Sequence, residues 1–392
     1  MSEEFYRIKR LPPYVFAEVN AMKAEARARG EDIIDLGMGN PDGMPAQHVI
    51  DKLSETANDP TAHRYSASKG IKGLRLAQAN YYKRRFDVDL DPESEVIVTL
   101  GSKEGLANLA QAITAPGDVV LAPNPSYPIH TFGFIIAGAA IRSIPAAPGP
   151  DFFKRLEYAM SYTVPKPSVL VMGYPSNPTA YVADLDFYQK VVDVAREHKL
   201  WVISDLAYAE IYYGDTPTPS MLQIDGAKDC VVEFTSMSKT YSMPGWRMGF
   251  AVGNQKLIGA LTRVKSYLDY GAFTPIQVAA TAALNGPQDI IDDNRALYKK
   301  RRDGLVESFG RAGWDIPPPE ASMFAWTPIP EQFKKLGSME FAKQLIAEAG
   351  VAVAPGTGFG DEGEGYVRLA LVENEQRIRQ AARSIKKFLS KG

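Results

Sequence analysis

Short, almost continuously apolar segments alternate with longer amphipathic segments through much of the chain. The clearest apolar segments cover residues 95–100, 119–121, 169–172, 201–204 and 231–234. Each of them is long enough for a strand and is separated from the next by a segment with helical periodicity. Apolar strands that alternate with helices are typical of a mostly parallel sheet with both faces covered. We therefore predict an α/β fold with a mostly parallel central sheet.

The pattern changes after residue 250, where three long helical segments precede a shorter alternation of strands and helices. A chain of 392 residues is long enough to bury a large core and to divide into two lobes. We predict an N-terminal segment, 1–44, that joins a small domain, a large domain over 45–286, and a small α+β domain over 287–392.

Composition excludes several classes of function. The net charge of −2 gives no electrostatic footprint for nucleic acid or an anionic membrane. The single cysteine, Cys230, cannot form an intrachain disulfide. The acidic start lacks the apolar region of a secretory signal, and no apolar run could span a bilayer, so we expect a cytoplasmic protein. The four histidines show no ligand spacing, and we expect no metal site; they are His48, His63, His130 and His198.

Chemically suggestive residues follow the predicted strands repeatedly. In a parallel sheet the ligand lies at the carboxyl ends of the strands. The residues that fall there are Gly101 to Lys103, Tyr127, Asn177, Asp205 with Tyr208, and Lys239. The sequence therefore predicts one site that these residues share.

Lys239 lies just after the apolar run 231–234, among small hydroxyl residues. A buried ammonium is costly to desolvate, and the same desolvation lowers its pKa and frees a nucleophilic amine. Such a lysine is suited to form a Schiff base. The alternative is an ordinary loop lysine.

Two glycine-containing turns are candidates for a phosphate loop. The turn Gly101-Ser102-Lys103 joins a strand to a helix, where free N–H groups and the helix dipole favour an anion, although such turns also serve packing. The stretch 37–43 does not fit G-x-G-x-x-G, because its third glycine comes one position late, and this disfavours a dinucleotide enzyme. We interpret it as a turn whose backbone approaches a ligand.

Three motifs in chain order resemble those of the class I/II aminotransferases of fold type I, which depend on pyridoxal 5′-phosphate (PLP). They are Ser236-x-Ser238-Lys239 with Gly245-Trp246-Arg247-x-Gly249, the turn Pro175-Ser176-Asn177-Pro178-Thr179, and the pair Asp205-x-x-Tyr208. The resemblance covers nearly the whole chain. It implies the PLP-dependent transferase fold, a ping-pong transfer of an amino group, and a homodimer with shared active sites.

The resemblance also implies a role for each matched residue. The catalytic residues are Lys239, Asp205 and Tyr208, and the substrate-binding residues are Gly39, Asn177 and Arg368. The residues that bind the cofactor are Ser102, Lys103, Tyr127, Asn177, Asp205, Tyr208, Ser236, Ser238, Lys239 and Arg247, together with Tyr65, which reaches the phosphate in the neighbouring subunit.

Each of these residues also has a plain structural interpretation. Asp205 could cap a helix, and the two tyrosines could be core aromatics. Arg368 could form a surface salt bridge, and Arg247 could be a structural pairing arginine. The two serines of the lysine motif could form turns, and the Lys103 side chain is expected to be solvated.

Further segments resemble a narrower group, the bacterial alanine (glutamate–pyruvate) aminotransferases, which are themselves similar to LL-diaminopimelate aminotransferases. These segments are Leu11 to Phe16, Met38 to Gly43 and Ser266 to Gly271. The implied reaction is L-alanine + 2-oxoglutarate ⇌ pyruvate + L-glutamate. Arg263 or Arg295 could be proposed for the distal carboxylate of glutamate, but the sequence does not choose between them.

Other functions remain open at this point. An LL-diaminopimelate or aspartate aminotransferase would use the same motifs, and a PLP-dependent C–S lyase would use the same fold. A PLP-sensing transcription regulator would need a basic N-terminal DNA-binding extension, for which we expect no room in this chain.

Overall fold

The computed structural model describes residues 5–390 and places a seven-stranded sheet at the centre of the protein. The strands are β1 (Ile34–Asp35), β2 (Val96–Thr99), β3 (Val119–Asn124), β4 (Ala140–Pro145), β5 (Pro167–Met172), β6 (Trp201–Asp205), β7 (Val231–Ser236), β8 (Gly249–Gly253), β9 (Phe324–Pro328), β10 (Val351–Ala352), β11 (Ala354–Pro355) and β12 (Tyr366–Ala370). The α-helices are α1 (Tyr6–Lys9), α2 (Val15–Ala28), α3 (Gln47–Ala57), α4 (Lys72–Phe86), α5 (Ser102–Ile113), α6 (Ile129–Ala137), α7 (Pro150–Tyr162), α8 (Leu185–His198), α9 (Met237–Thr240), α10 (Gln255–Leu268), α11 (Thr274–Asn285), α12 (Asp289–Ala312), α13 (Gly337–Ala349) and α14 (Glu375–Leu389).

The order of the central strands is β2-β8-β7-β6-β5-β3-β4. Strands β3 to β7 pair in parallel, and β8 is antiparallel to both of its neighbours. The prediction of a mostly parallel α/β sheet is confirmed.

Helices cover both faces of this sheet, because the strands are apolar on both sides. On one face Val96 and Val98 pack with residues of α4, such as Leu74. On the other face Ile97 packs with residues of α5 and α10, such as Leu106 and Leu257. Alternate residues of one strand therefore belong to two different cores, as expected for a sheet buried on both faces.

A second unit is built on a three-stranded antiparallel sheet of order β11-β12-β9. Its core includes residues of α12, α13 and α14, among them Leu305, Phe341 and Ile385. The N-terminal segment contributes to this unit, since β1 pairs in parallel with β10 and aligns Ile34 with Val351. The domain boundaries at residues 44 and 286 stay a prediction.

The structure adds details that the sequence pattern did not predict. Helices α3 and α7 were not expected, and α7 begins with Pro150 in its first turn, where a proline is well tolerated. Residues 351–355 form two short strands rather than one, because β10 pairs with β1 whereas β11 pairs with β12. No helix between residues 5 and 390 combines the length and the apolar character needed to cross a bilayer.

Candidate active site

A cleft of about 850 Å³ opens at the carboxyl edge of the central sheet and is closed on its other side by β12 and the N-terminal segment. Strand β8 runs in the opposite direction to β7, so its start lies at this edge and brings Arg247 there. The predicted site residues that line the cleft are Gly39, Ser102, Lys103, Tyr127, Asn177, Asp205, Tyr208, Ser236, Ser238, Lys239, Arg247 and Arg368. Of the predicted site residues, Tyr65 alone lies elsewhere in the described chain.

Lys239 lies on the short helix α9, directly after β7. Its Nζ donates a hydrogen bond to the backbone carbonyl of Gly39 at 2.7 Å. Burial, together with the charges of Arg368 and Arg247, lowers the pKa of Lys239 to about 8. The amine is mainly protonated at neutral pH, but a minority, far larger than for an ordinary lysine, is neutral and available as a nucleophile or a base.

Asp205 ends β6 and pairs with His130, a residue for which the sequence predicts no role. The Nε2 atom of His130 lies 2.8 Å from Oδ2 of Asp205, and the histidine is buried. Its Nδ1 is buried without a hydrogen-bond partner among the described residues. His130 follows Tyr127 by three residues at the start of α6, and this spacing was the available sequence signal. The pair fixes the orientation of the Asp205 carboxylate at the floor of the cleft.

Tyr127 and Tyr208 contribute phenol groups to the same cleft. Burial is the main cause that raises the pKa of both side chains. Both phenols therefore remain protonated at neutral pH and can donate hydrogen bonds. Tyr208 also packs edge-on against Phe324, with 5.6 Å between the ring centroids.

The turn from β2 into α5 has three features that favour an anion. Gly101 has a φ of +82°, and the first N–H groups of α5 have no side-chain cap. The guanidinium of Arg247 covers this turn so closely that a Cβ at Gly101 would lie 2.2 Å from its Nη2. Free N–H groups, the helix dipole and an arginine together favour a phosphate.

The hydroxyl residues around this turn already have structural bonds. Ser102 donates its hydroxyl to the carbonyl of Thr235 at 2.8 Å. The Oγ of Ser236 accepts the backbone N–H of Ser238 at 3.1 Å and thereby caps α9. Lys103 is exposed, with its Nζ 5.9 Å from the Tyr127 ring centroid. A contact from these side chains to a phosphate stays a prediction.

Arg368, on β12, is a buried cation that forms no ion pair with a carboxylate of residues 5–390. Its Nη1 donates to Oδ1 of Asn177 at 2.7 Å and its Nη2 to the carbonyl of Gly37 at 2.8 Å. The guanidinium carbon lies 4.0 Å from the ring centroid of Phe324 and 4.7 Å from that of Phe359.

The surroundings of Arg368 define what it can bind. Burial lowers its pKa to about 10, which leaves it charged at neutral pH. Its hydrogen-bond partners among the described residues are an amide and a backbone carbonyl rather than a carboxylate, and its Nε is buried without a partner there. An uncompensated buried charge is costly, so the site is complete only with an anion. This burial contradicts the alternative of a surface salt bridge.

Tyr65 is 87% exposed and lies outside the cleft. Its ring packs against that of Tyr270, with 4.7 Å between the centroids. Tyr267, three residues before Tyr270 in the chain, is 88% exposed. An aromatic face of this kind favours contact with another protein surface. The assignment of Tyr65 to a neighbouring subunit stays a prediction.

Comparison with known proteins identifies relatives over nearly the whole chain. The family model described as aminotransferase class I and II matches residues 31–385. A putative aminotransferase AatC of Rhizobium meliloti is 66% identical over 99% of this chain and 96% of its own. The glutamate–pyruvate aminotransferase AlaC of Escherichia coli is 54% identical over 97% of this chain and 93% of its own.

Two further relatives bear on the choice of substrate and on the fold. An LL-diaminopimelate aminotransferase of Moorella thermoacetica is 43% identical over 99% of both chains. The apo structure of BacF from Bacillus subtilis superposes with a TM-score of 0.93 at 34% identity, covering 99% of this chain and 98% of that chain.

Proposed function

This chain belongs to the class I and II aminotransferases, and we propose that it transfers the amino group between L-alanine and 2-oxoglutarate with PLP as its cofactor. One observation carries the proposal. A lysine with a pKa lowered to about 8 and a buried, unpaired arginine face the same cleft. An amine nucleophile and a carboxylate receptor are what the transfer of an amino group between amino acids requires.

The residues at the edge of the sheet fit PLP. Lys239 offers an amine to an aldehyde, and Asp205, oriented by His130, offers a carboxylate to a protonated ring nitrogen. The turn before α5, covered by Arg247, offers an anion site for a phosphate. When bound, PLP supplies the electron sink that accepts the electron pair left on the substrate Cα.

The residues of the chain supply binding and proton transfer. Arg368 still has an unpartnered Nε–H and a second N–H on each Nη, so it can bind an α-carboxylate while it keeps Asn177 and Gly37. Lys239 can accept a proton from the substrate Cα and return it, because its pKa lies close to neutral pH. The buried phenol of Tyr208 can donate a hydrogen bond in the same space. Two half-reactions through these groups constitute the ping-pong cycle.

The choice of alanine is supported by the 54% identity to a glutamate–pyruvate aminotransferase, against 43% to an LL-diaminopimelate aminotransferase. The test is a panel of half-reactions, in which the bound cofactor is converted by one amino acid at a time and the rates are ranked. We expect L-alanine and L-glutamate to lead the ranking. A lead by LL-diaminopimelate or aspartate would reject the alanine assignment and keep the aminotransferase. Release of pyruvate and ammonia from a cysteine conjugate without an oxo acid would indicate a lyase.

Glutamate carries a second carboxylate, and the structure narrows the choice of its receptor. Arg263 lies on a separate surface groove, whereas Arg295 pairs with Glu210 and Asp292, so neither lines the cleft of this chain. The lysine and arginine side chains that line it within residues 5–390 are Lys103, Lys239, Arg247 and Arg368. Lys103 is the one of these four to whose side chain no other role is assigned, so the proposal gives it the distal carboxylate. Its exposure agrees with the prediction of a solvated side chain.

Lys103→Met is expected to separate the two substrates. Loss of a charged hydrogen bond costs about 1.5 kcal/mol, so KM for L-glutamate and for 2-oxoglutarate is expected to rise about tenfold. KM for L-alanine and pyruvate is expected to stay unchanged, because neither has a second carboxylate. Steady-state kinetics in both directions measure this difference, with Lys256→Met, an exposed lysine on α10, as the control. An equal change for both substrates would remove Lys103 from the specificity site.

The proposal includes a homodimer in a cytoplasmic location. The exposed aromatic face around Tyr65 and Tyr270 supports it as the surface that a second copy would cover. In that arrangement Tyr65 serves the cofactor site of the partner, as the family resemblance implies.

A further inference from the structure

A group of three charged residues, a buried lysine between two partly buried carboxylates, lies behind the anion-binding turn. The side chain of Lys265, on α10, is only 1% exposed. Its Nζ lies 2.9 Å from Oε1 of Glu104 and 2.7 Å from Oδ2 of Asp269. A buried ion pair can often be replaced by apolar residues without loss of stability. The presence of this lysine therefore indicates that it positions neighbouring segments rather than stabilises the fold.

One end of the group fixes the turn that precedes α5. Glu104 lies in the first turn of that helix, and its Oε2 accepts the backbone N–H of Leu100 at 2.8 Å. This bond holds the chain just before Gly101. A carboxylate at the start of α5 would by itself oppose an anion there, and the ammonium of Lys265, which Glu104 shares with Asp269, offsets part of its charge.

The other end of the group fixes the loop of the exposed aromatic face. Oδ1 of Asp269 accepts the N–H of Gly271 at 2.7 Å, and the Asp269 carbonyl accepts the hydroxyl of Ser68. The loops that carry Tyr65 and Tyr270 are thereby held together, and their two rings pack against each other.

A buried glutamine strengthens the same connection. Oε1 of Gln277 accepts the N–H of Ile71 at 2.9 Å, while its Nε2 donates to Ser66 and to the carbonyl of Ala272. The segment from Tyr65 to Ile71 is therefore bonded to the segment 269–272 at several points. A displacement of Asp269 would move the surface that presents Tyr65.

We propose that Lys265 is a positioning residue that ties the anion-binding turn to the loop presenting Tyr65 to a second copy of the chain, so that cofactor binding and subunit association strengthen each other. The inference rests on the proposed function, since it needs PLP in the cleft and a homodimer. It goes beyond that function because it assigns a role to three residues outside the cleft. Thermodynamic linkage requires the coupling to be reciprocal, so it can be detected either in the affinity for PLP or in the affinity between the subunits.

The test measures the dissociation constant of PLP and that of the subunits, the latter with and without saturating PLP. In the wild type, PLP is expected to tighten subunit association by about fivefold or more. In Lys265→Met, both dissociation constants are expected to rise and this factor is expected to shrink towards one. Lys256→Met, an exposed lysine on the same helix, is the matched control and is expected to behave as the wild type.

A rescue separates positioning from a general loss of structure. Adding Glu104→Gln to Lys265→Met removes the unbalanced charge beside the turn, and an amide oxygen can still accept the Leu100 N–H. PLP affinity, and that of inorganic phosphate for the apo protein, is expected to recover. Subunit association is expected to remain weak, because Asp269 still lacks its partner. If Glu104→Gln restored neither the affinity for PLP nor that for inorganic phosphate, the proposal would be overturned.

A second variant keeps the test decisive if Lys265→Met does not fold. Asp269→Asn retains the pair of Lys265 with Glu104 and is expected to weaken subunit association. PLP affinity is measured at a protein concentration above the subunit dissociation constant. It is expected to stay within about twofold of the wild type, which is a small change compared with the usual range of coupling between two binding sites. Wild-type association in this variant would contradict the proposal. If the wild type did not bind PLP or did not form dimers, the proposed function would be overturned as well. If the wild type behaved as expected and Lys265→Met changed neither dissociation constant, this inference alone would be overturned.

Discussion

Replacement of Lys239 by alanine is expected to abolish transamination, with a fall in kcat of at least about 10⁴-fold. The variant loses both the amine that holds the cofactor and the base that moves the Cα proton. The other lysine that lines the cleft within the described chain, Lys103, is exposed and lies over the Tyr127 ring, so it is not placed to substitute. The measurements are pyruvate formation from L-alanine and the absorbance change of the bound cofactor when L-alanine is added. Both signals are expected to disappear.

The lowered pKa of Lys239 adds a pH signature to the same prediction. Below about pH 8 the amine is mainly protonated, and above it mainly neutral. Capture of PLP by the apo protein is therefore expected to accelerate as the pH rises towards 8 and to level off above it. Lys239→Ala is expected to form no bond that borohydride can fix, whereas Lys256→Ala, which changes an exposed lysine, is expected to do so normally. Wild-type turnover in Lys239→Ala would refute the central assignment.

The strand pattern was sufficient to predict much of the site. Asp205 ends β6, and Lys239 follows β7 by three residues. Because parallel strands place their carboxyl ends at one edge, residues that directly follow the strands come together without any knowledge of strand order. Asn177 and Tyr127 could be predicted for the same reason.

Contacts that depend on tertiary arrangement could not be predicted in this way. His130 reaches Asp205 because β3 and β6 both flank β5, and this order is not visible in the sequence. Arg368 meets Asn177 across 191 residues, from a strand of the other unit. Arg368 could be predicted only from the family resemblance, because no pattern in the sequence places it near Asn177. Its aromatic neighbour Phe324 follows from the pairing of β9 with β12, which requires the structure.

The same limit applies to the receptor for the distal carboxylate. From the sequence alone, Arg263 and Arg295 are both candidates, because either side chain carries the required positive charge. The structure places Arg295 over the ring of Tyr212, with 4.1 Å between its guanidinium carbon and the ring centroid, and beside two carboxylates. Charge type can be read from the sequence, whereas the direction of a long side chain depends on the packing of its neighbours.

Arg368→Met is expected to weaken every substrate, unlike Lys103→Met, which acts on the dicarboxylates alone. All amino acids and oxo acids of the reaction carry the carboxylate that Arg368 is placed to bind. Removal of one partner of a buried charge pair costs about 2–5 kcal/mol, so kcat/KM for L-alanine and for L-glutamate is expected to fall at least about 30-fold.

Two further observations distinguish a substrate receptor from a structural arginine. Arg368 has no carboxylate partner in the described chain, so its loss leaves no buried carboxylate unpaired. The thermal midpoint of the apo protein is therefore expected to stay within a few degrees of the wild type. Arg368→Lys keeps the charge but not the planar fork, and its kcat/KM is expected to lie between those of the wild type and Arg368→Met. If Arg368→Met left KM for L-alanine and for L-glutamate unchanged, the arginine would have to be removed from the substrate site. If it lowered the thermal midpoint strongly while kcat/KM was retained, its role would be structural.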